Sequence, residues 1–431
     1  MDSPHKVVVQ LPGGPITALA DGNLVRARGV KYARAARFSE PEPISSWTEV
    51  QDCTGPASLC PQLPSRLGVV NGDLEKGRAQ DEDCLHVSVV APASAHNAPV
   101  MVFLHGGAYV SGGGDLDAYC PHLLAKKGVV AVTVTHRLGV LGYVPIPNVA
   151  PANLGLMDQV AALKWINRNI SGFGGDAGNV TLFGQSAGAE AIFCLSTIDD
   201  AKILFHRGIL QSPPQGSVED EDMDKVVAAM SQHSSLQINP DTASTISILA
   251  ILDLQKELLG IARAAAPVLI AFGPVYGQYP LPPRDQAITS FISAAKQRPM
   301  FLGYTSDEAS AFTQIDTREE ALEYLSNLFK GSTDRLVQRM TAELGERPPT
   351  YEMAWYPSES DKLKATHCID LPFLLGDWSA WKDAPSLRGA ASQEALETLG
   401  DAVKSLWVAF AKGEKLASEK IVINNDFQFS A

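Results

Sequence analysis

Gly184-Gln185-Ser186-Ala187-Gly188 is the run of this sequence whose residue types and spacing point most directly to chemistry. A short apolar run with β-branched residues, Val180 to Phe183, leads into it, and the small and apolar residues that follow, through Cys194, suit a helix. Gly-x-Ser-x-Gly between a strand and a helix is the pattern of a nucleophile elbow. A serine forced onto so sharp a turn leaves no room for side chains two positions before and after it. The turn points the Ser186 hydroxyl out of the sheet, and the new helix N-terminus helps hold a developing negative charge. A chance occurrence in a loop is the bland alternative in a glycine-rich chain, and the flanking strand and helix argue against it.

A serine hydroxyl is a poor nucleophile at neutral pH, so it needs an adjacent base, and the base needs an acid to fix its tautomer. On a scaffold with this elbow the acid and then the base follow the serine in chain order. Of nine histidines, His5 and His96 lie in exposed stretches, and His86, His105 and His136 precede the nucleophile. His122, His206 and His233 sit in segments with no fixed loop signal, which leaves His367 as the best candidate by position. Tyr304-Thr305-Ser306-Asp307-Glu308, delivered by a strand over Pro299 to Gly303, offers two carboxylates for the acid. His105-Gly106-Gly107-Ala108-Tyr109 ends a buried strand running from Pro99 to Leu104, and its small residues let backbone N–H groups approach a ligand closely, as an oxyanion hole requires.

These groups need a scaffold that brings them to one place. Further strands are expected over Gly128–Thr135, Arg207–Leu210 and Lys420–Ile423, with helices over Leu154–Ile170 and Gln393–Lys412. Residues Lys6 to Tyr32 read as two β-rich runs around Pro12-Gly13-Gly14-Pro15, and Ser217–Asp224 as an acidic solvated loop. Alternating strands and helices imply one α/β domain over 1–431, a mostly parallel central sheet with helices on both faces. Functional groups should gather at the carboxyl ends of its strands. Residues 213–298 carry helical patterns without motifs and read as an inserted cap, including an apolar packing run from Ala262 to Ile270. Residues 309–366 read as a second, shortened helical insertion.

The 431 residues carry a net charge of −13, with 45% hydrophobic and 19% charged residues, the profile of a globular protein that can bury a core. The acidic balance argues against nucleic acid, which wants clustered Lys and Arg. No apolar run approaches the roughly 20 residues of a membrane span. The start, Met1-Asp2-Ser3-Pro4-His5-Lys6, lacks a basic region followed by an apolar one, so the expectation is a cytoplasmic protein with mostly free thiols among its six cysteines.

The motifs together resemble the type-B carboxylesterases, the family of cholinesterases, nitrobenzyl esterases and some fungal lipases. The matching residues are Gly29 to Ala33 with Arg37-Phe38, Cys60-Pro61-Gln62, Glu82-Asp83-Cys84-Leu85 and His105-Gly106-Gly107-Ala108. They continue through Arg137-Leu138-Gly139, Asn153 to Gln159, Phe173-Gly174-Gly175-Asp176 and the elbow, then Gln211-Ser212, Glu308, His367 and Trp407 to Ala411. The match is dense from 29 to 213 and sparse but ordered afterwards.

The resemblance implies an α/β-hydrolase fold and a serine esterase needing no metal or organic cofactor, acting on a small-molecule ester as a monomer or homodimer. It implies Ser186 as nucleophile, His367 as base and Glu308, rather than Asp307, as acid, since the family's Gly-x-x-x-Asp-Glu pattern falls on Gly303 to Glu308. Backbone N–H groups of Gly107, Ala108 and Ala187 would form the oxyanion hole, with Gly106 and Gln185 beside the substrate. Arg37 with Glu82, and Arg137 with Asp158, resemble the family's buried structural ion pairs. A Cys60–Cys84 bridge would contribute roughly 3 kcal/mol in the loop-entropy model, though a reducing cytosol would leave it open.

Departures narrow the reading. Gln185 stands where many members have Glu, and no aromatic residue lies between Cys60 and Cys84, where a cholinesterase-type choline site places a Trp. A cholinesterase is therefore rejected. Pro213 replaces the usual Gly after Gln211-Ser212, and only 59 positions separate Glu308 from His367, a shortened insertion that predicts a wider or shallower entrance. Two other readings compete with ester hydrolysis. Lactone, amide, carbamate or thioester cleavage would use the same three residues. A non-catalytic binding member would need to have lost one of them, and all three are present.

Overall fold

The computed structural model describes residues 3–214, 222–265, 270–313, 317–360, 362–390, 392–416, 418–424 and 429–430. Among the described residues thirteen strands form one sheet. Three antiparallel strands open it, β1 (His5–Leu11), β2 (Gly14–Asp21) and β3 (Leu24–Lys31), where the sequence suggested two runs; β3 then pairs antiparallel with β4 (His86–Pro92). The centre is built from β5 (Ala98–Leu104), β6 (Val130–Thr135), β7 (Gly175–Gln185), β8 (Arg207–Gln211), β9 (Met300–Thr305), β10 (Thr350–Met353) and β11 (Lys420–Ile423). With β12 (Phe429–Ser430) the order is β1-β2-β3-β4-β6-β5-β7-β8-β9-β10-β11-β12, and Gln51–Asp52 pairs with β2. Every pairing from β6 to β11 is parallel.

Successive side chains of a strand face opposite ways, so a sheet covered on both sides needs unbroken apolar runs. On β5, Val100, Val102 and Leu104 enter one core while Met101 and Phe103 enter the other. Helices α1 (Leu154–Asn169) and α2 (Ala187–Thr197) pack into the first core. The second is closed by the C-terminal helix α8 (Gln393–Ala411), whose buried Leu396, Leu399, Val403, Trp407 and Phe410 recur every three or four residues. Ser392 caps it, its side chain accepting from Ala395 N at 3.1 Å.

Between β8 and β9 lie α3 (Asp222–Gln237), α4 (Ile248–Ala265) and α5 (Arg284–Ala295). Helix α5 stacks on the elbow helix α2 through Phe291 and Phe193, ring centroids 4.6 Å apart. Of the acidic run expected as a loop, Asp222–Asp224 instead begins α3, and 217–221 lie outside the described residues. Ala262 is buried as expected, while 266–269 also lie outside them.

Helices α6 (Glu319–Ser326) and α7 (Ser332–Leu344) follow β9. The stretch 309–366 is not helical throughout, because Thr350–Met353 inserts as β10 between β9 and β11. Its four residues are too few for a periodic signal, and only pairing on both sides makes them a strand. A helix long and apolar enough to cross a membrane is absent from the described residues.

Candidate active site

Strand β7 ends at Gln185, α2 begins at Ala187, and Ser186 between them has φ +56° and ψ −124°. This conformation costs energy for a residue with a side chain, and the packing around it holds it there. A Cβ on Gly188 would stand 2.0 Å from the Leu104 carbonyl oxygen, and one on Gly184 would stand 2.7 Å from the Gly188 carbonyl. The two glycines are thus required by backbone on backbone contact. The Ser186 N–H donates to Gln211 O of the neighbouring β8 at 2.8 Å, fixing the turn against the sheet.

His367 and Glu308 arrive on loops tied to each other by a bridge between Asp307 and Thr366. His367 Nδ1 hydrogen-bonds Glu308 Oε2, and both side chains are buried. The other carboxylate oxygen, Oε1, accepts from Ser212 Oγ at 2.6 Å and from Thr305 N at 2.8 Å. Phe329 and Phe312 pack on the imidazole with ring centroids 4.3 and 5.5 Å away. Burial alone would lower the His367 pKa, but the Cys368 sulfur and the Glu308 carboxylate outweigh it and hold it well above the usual histidine value. At its far side Nε2 lies 3.0 Å from Gln185 Nε2, and when the ring is neutral with its proton on Nδ1 the amide N–H donates to Nε2.

The turn after β5 holds three successive residues in positive φ, Gly107 at 113°, Ala108 at 52° and Tyr109 at 60°. A Cβ on Gly107 would meet Ser111 O at 2.1 Å. Among the described residues the N–H groups of Gly107 and Ala108 donate no hydrogen bond. The N–H of Ala187, first residue of α2, has no acceptor within its helix. Tyr109 anchors the turn by donating to Glu190 Oε2 at 3.0 Å. His105 stacks on His136 at 4.8 Å, and burial together with His136 pushes its pKa down to about 3, so it is neutral and structural.

Ser186, His367, Gly107 and Ala108 line one cavity of about 40 Å³, together with Ile270, Leu325, Phe312 and Phe329 from the insertions and Ser65, Arg66 and Leu67 from the segment between Cys60 and Cys84. Gln185 and Gly106, expected beside the substrate, do not line it. Gln185 is buried against His367, and Gly106 lies against Gln185, whose Oε1 a Cβ there would approach to 2.7 Å.

Sequence reasoning gave no role to Arg66, Ser212 or Asp370. Asp370 is fully buried, accepts from Gln211 Nε2 at 2.7 Å and Tyr351 Oη at 2.9 Å, and burial raises its pKa. Gln211 thereby links the loop of His367 to the carbonyl that receives the Ser186 N–H. No local pattern could have signalled this, because Gln211 and Asp370 are 159 residues apart.

The expected ion pairs are present. Arg137 Nε and Nη2 meet Asp158 at 2.8 and 2.6 Å, fully buried, and Arg37 Nε meets Glu82 Oε2 at 2.7 Å. The Cys60–Cys84 bridge is not formed. Both are free thiols in the core, where Cys60 Sγ accepts from Leu138 N at 3.3 Å. A hydrogen bond between the two thiols, with burial, holds the Cys84 pKa well above the usual thiol value.

The model of the carboxylesterase family matches residues 13–347. A protein of Rhodococcus erythropolis described as probable N-octanoylanthranilate hydrolase AqdA2 is 35% identical over 427 residues, covering 93% of this chain and 92% of its own. The para-nitrobenzyl esterase of Bacillus subtilis (strain 168) is 32% identical over 456 residues, covering 96% and 91%. A thermophilic PNB esterase structure superposes with a TM-score of 0.81 at 27% identity, over 97% of this chain and 96% of that one. The chain therefore belongs to the carboxylesterase family, and is a hydrolase of ester bonds on an α/β-hydrolase scaffold.

Proposed function

We propose that Ser186 is the nucleophile, His367 the general base and Glu308 the acid that orients it, acting on small carboxylic esters through an acyl-enzyme. The observation that carries this is the buried Glu308–His367 hydrogen bond beside a serine in an elbow conformation, with serine and histidine facing the same cavity. His367 takes the Ser186 proton as Oγ bonds the ester carbonyl carbon. The N–H groups of Gly107, Ala108 and Ala187 hold the oxyanion, and the alcohol departs with the proton from His367. Water, deprotonated by the same ring, then attacks the acyl carbon, and the carboxylic acid leaves as Ser186 regains its proton.

The apolar lining from Ile270, Phe312, Leu325 and Phe329 supports a hydrocarbon acyl or aryl group. Lactones, amides, carbamates and thioesters present the same carbonyl to the same groups, and the Rhodococcus relative is described as a probable N-octanoylanthranilate hydrolase. Hydrolysis of p-nitrophenyl esters from acetate to decanoate, wild type against Ser186→Ala, tests the reading. Activity that disappears with the hydroxyl supports it, and the chain-length profile measures the acyl pocket. A folded wild type inert on every ester and unlabelled by a fluorophosphonate at Ser186 overturns it.

A further inference from the structure

Among the described residues, four arginines that are largely shielded from water each hold a carboxylate. Arg28 and Arg78 share Asp115 at 2.8 and 2.9 Å, Arg137 holds Asp158 at 2.6 Å and Arg37 holds Glu82. This is the expected arrangement, because a guanidinium keeps its charge and burying it unpaired is costly. Arg66 departs from it. It is half-buried in the cavity of Ser186, yet makes no hydrogen bond or ion pair among the described residues.

Arg66's surroundings make the gap sharper. No carboxylate is among the described residues that line that cavity, and Gln185 stands beside His367 where an acid would have been negative. Among the described residues the charged group that acts on Arg66 is a second cation, exposed Arg263 in the last turn of α4, and burial and this repulsion both disfavour its charged form. In a chain of net charge −13, carboxylates are abundant, but none of the described ones is placed here. The cavity therefore combines an apolar lining, an unpaired guanidinium and the nucleophile.

We propose that Arg66 is a specificity-determining residue that binds a carboxylate carried by the substrate away from the scissile bond, so that the favoured substrates are anionic, amphipathic esters. A planar guanidinium matches a carboxylate bidentately, and Arg263 adds attraction at longer range. The inference rests on Ser186 being the nucleophile of this cavity.

Two butyrate esters that differ by one group test it, phenyl butyrate and the butyryl ester of 3-hydroxybenzoate. The readout is the ratio of kcat/KM for the anionic over the neutral ester, which cancels general losses of activity. Arg66→Gln is expected to lower this ratio by about 10- to 100-fold, and Arg66→Lys to restore part of it. In the wild type the ratio should fall as NaCl is raised. A ratio within about twofold of wild type in Arg66→Gln, at the screening expected of an exposed charge, overturns the proposal.

Calorimetric titration of the full-length wild type with benzoate and with benzamide decides the matter without catalysis. Benzoate is expected to bind more tightly, and Arg66→Gln to remove the difference; equal binding of the two overturns the proposal. Should neither ester be hydrolysed and Ser186→Ala match the wild type, the nucleophile assignment fails, and the benzoate titration still decides whether Arg66 holds a carboxylate.

Discussion

Gln185 donates its side-chain N–H to His367 Nε2 across 3.0 Å. Donation requires a free lone pair on Nε2, so the contact is made by the neutral ring with its proton on Nδ1 facing Glu308, the tautomer the proposed base needs. In the proposed mechanism the same bond occupies the lone pair that would take the Ser186 proton, so the amide would turn aside before attack. Gln185 contacts His367 and is not among the described lining residues of the cavity, so we expect it to tune that ring.

Gln185→Glu is expected to move the acidic limb of kcat/KM upward by about one pH unit, since a carboxylate there favours the imidazolium. A pH–rate profile of the two enzymes measures it, and an unmoved limb contradicts the contact.

The wild-type limb itself should lie above pH 6.5. His367 has a raised pKa, so it is the inactive imidazolium below that value, and activity appears as pH rises through it. Glu308→Gln removes one of the two groups that raise the pKa and leaves the Cys368 sulfur alone against burial, so the limb should move down while kcat falls by about 10³ or more. A limb that stays in place would mean that Glu308 does not set the base.

Ser212→Ala deletes the 2.6 Å hydrogen bond to Glu308 Oε1 and leaves only Thr305 N on that oxygen. We expect kcat to fall by about tenfold and stability by about 1–3 kcal/mol, because a buried carboxylate loses a charge-assisted bond. Steady-state kinetics and urea unfolding read the two losses separately.

Gly188→Ala places a methyl 2.0 Å from Leu104 O, an atom held in the central sheet. The backbone cannot yield there without moving β5 from α2, so the variant should lose about 3 kcal/mol or fail to fold. Thermal unfolding against wild type checks this, and an unchanged midpoint would mean that the elbow packs differently.

Six reactive thiols per chain are expected when the protein is denatured without reductant, because Cys60 and Cys84 are free. Four would show that the bridge forms, and reductant would then lower the melting temperature.

Much of the site could be read from local chemistry. Gly184 is crowded by Gly188 four residues on and Gly188 by the Leu104 carbonyl of β5, so the elbow spacing is local while part of its steric cause is a neighbouring strand; the turn after β5 is crowded locally, Gly107 against Ser111. The long apolar strands and the spacing of α8 are periodic, so the parallel sheet was legible too. Thr350–Met353 was not, since four residues hold no period and take their structure from both neighbours.

By itself, then, the sequence determined the scaffold and the elbow turn at Ser186, because these depend on repeating burial and on glycine spacing around a tight turn. Only the tertiary structure decided that Gln185 meets a histidine 182 residues away, that Asp370 takes Gln211, and that Cys60 and Cys84 stay thiols. It also decided that Arg66 lines the cavity of Ser186, with no carboxylate among the described residues there. Each of these is a contact between distant segments, set by how the sheet and its insertions close on one another, and no local spacing encodes it.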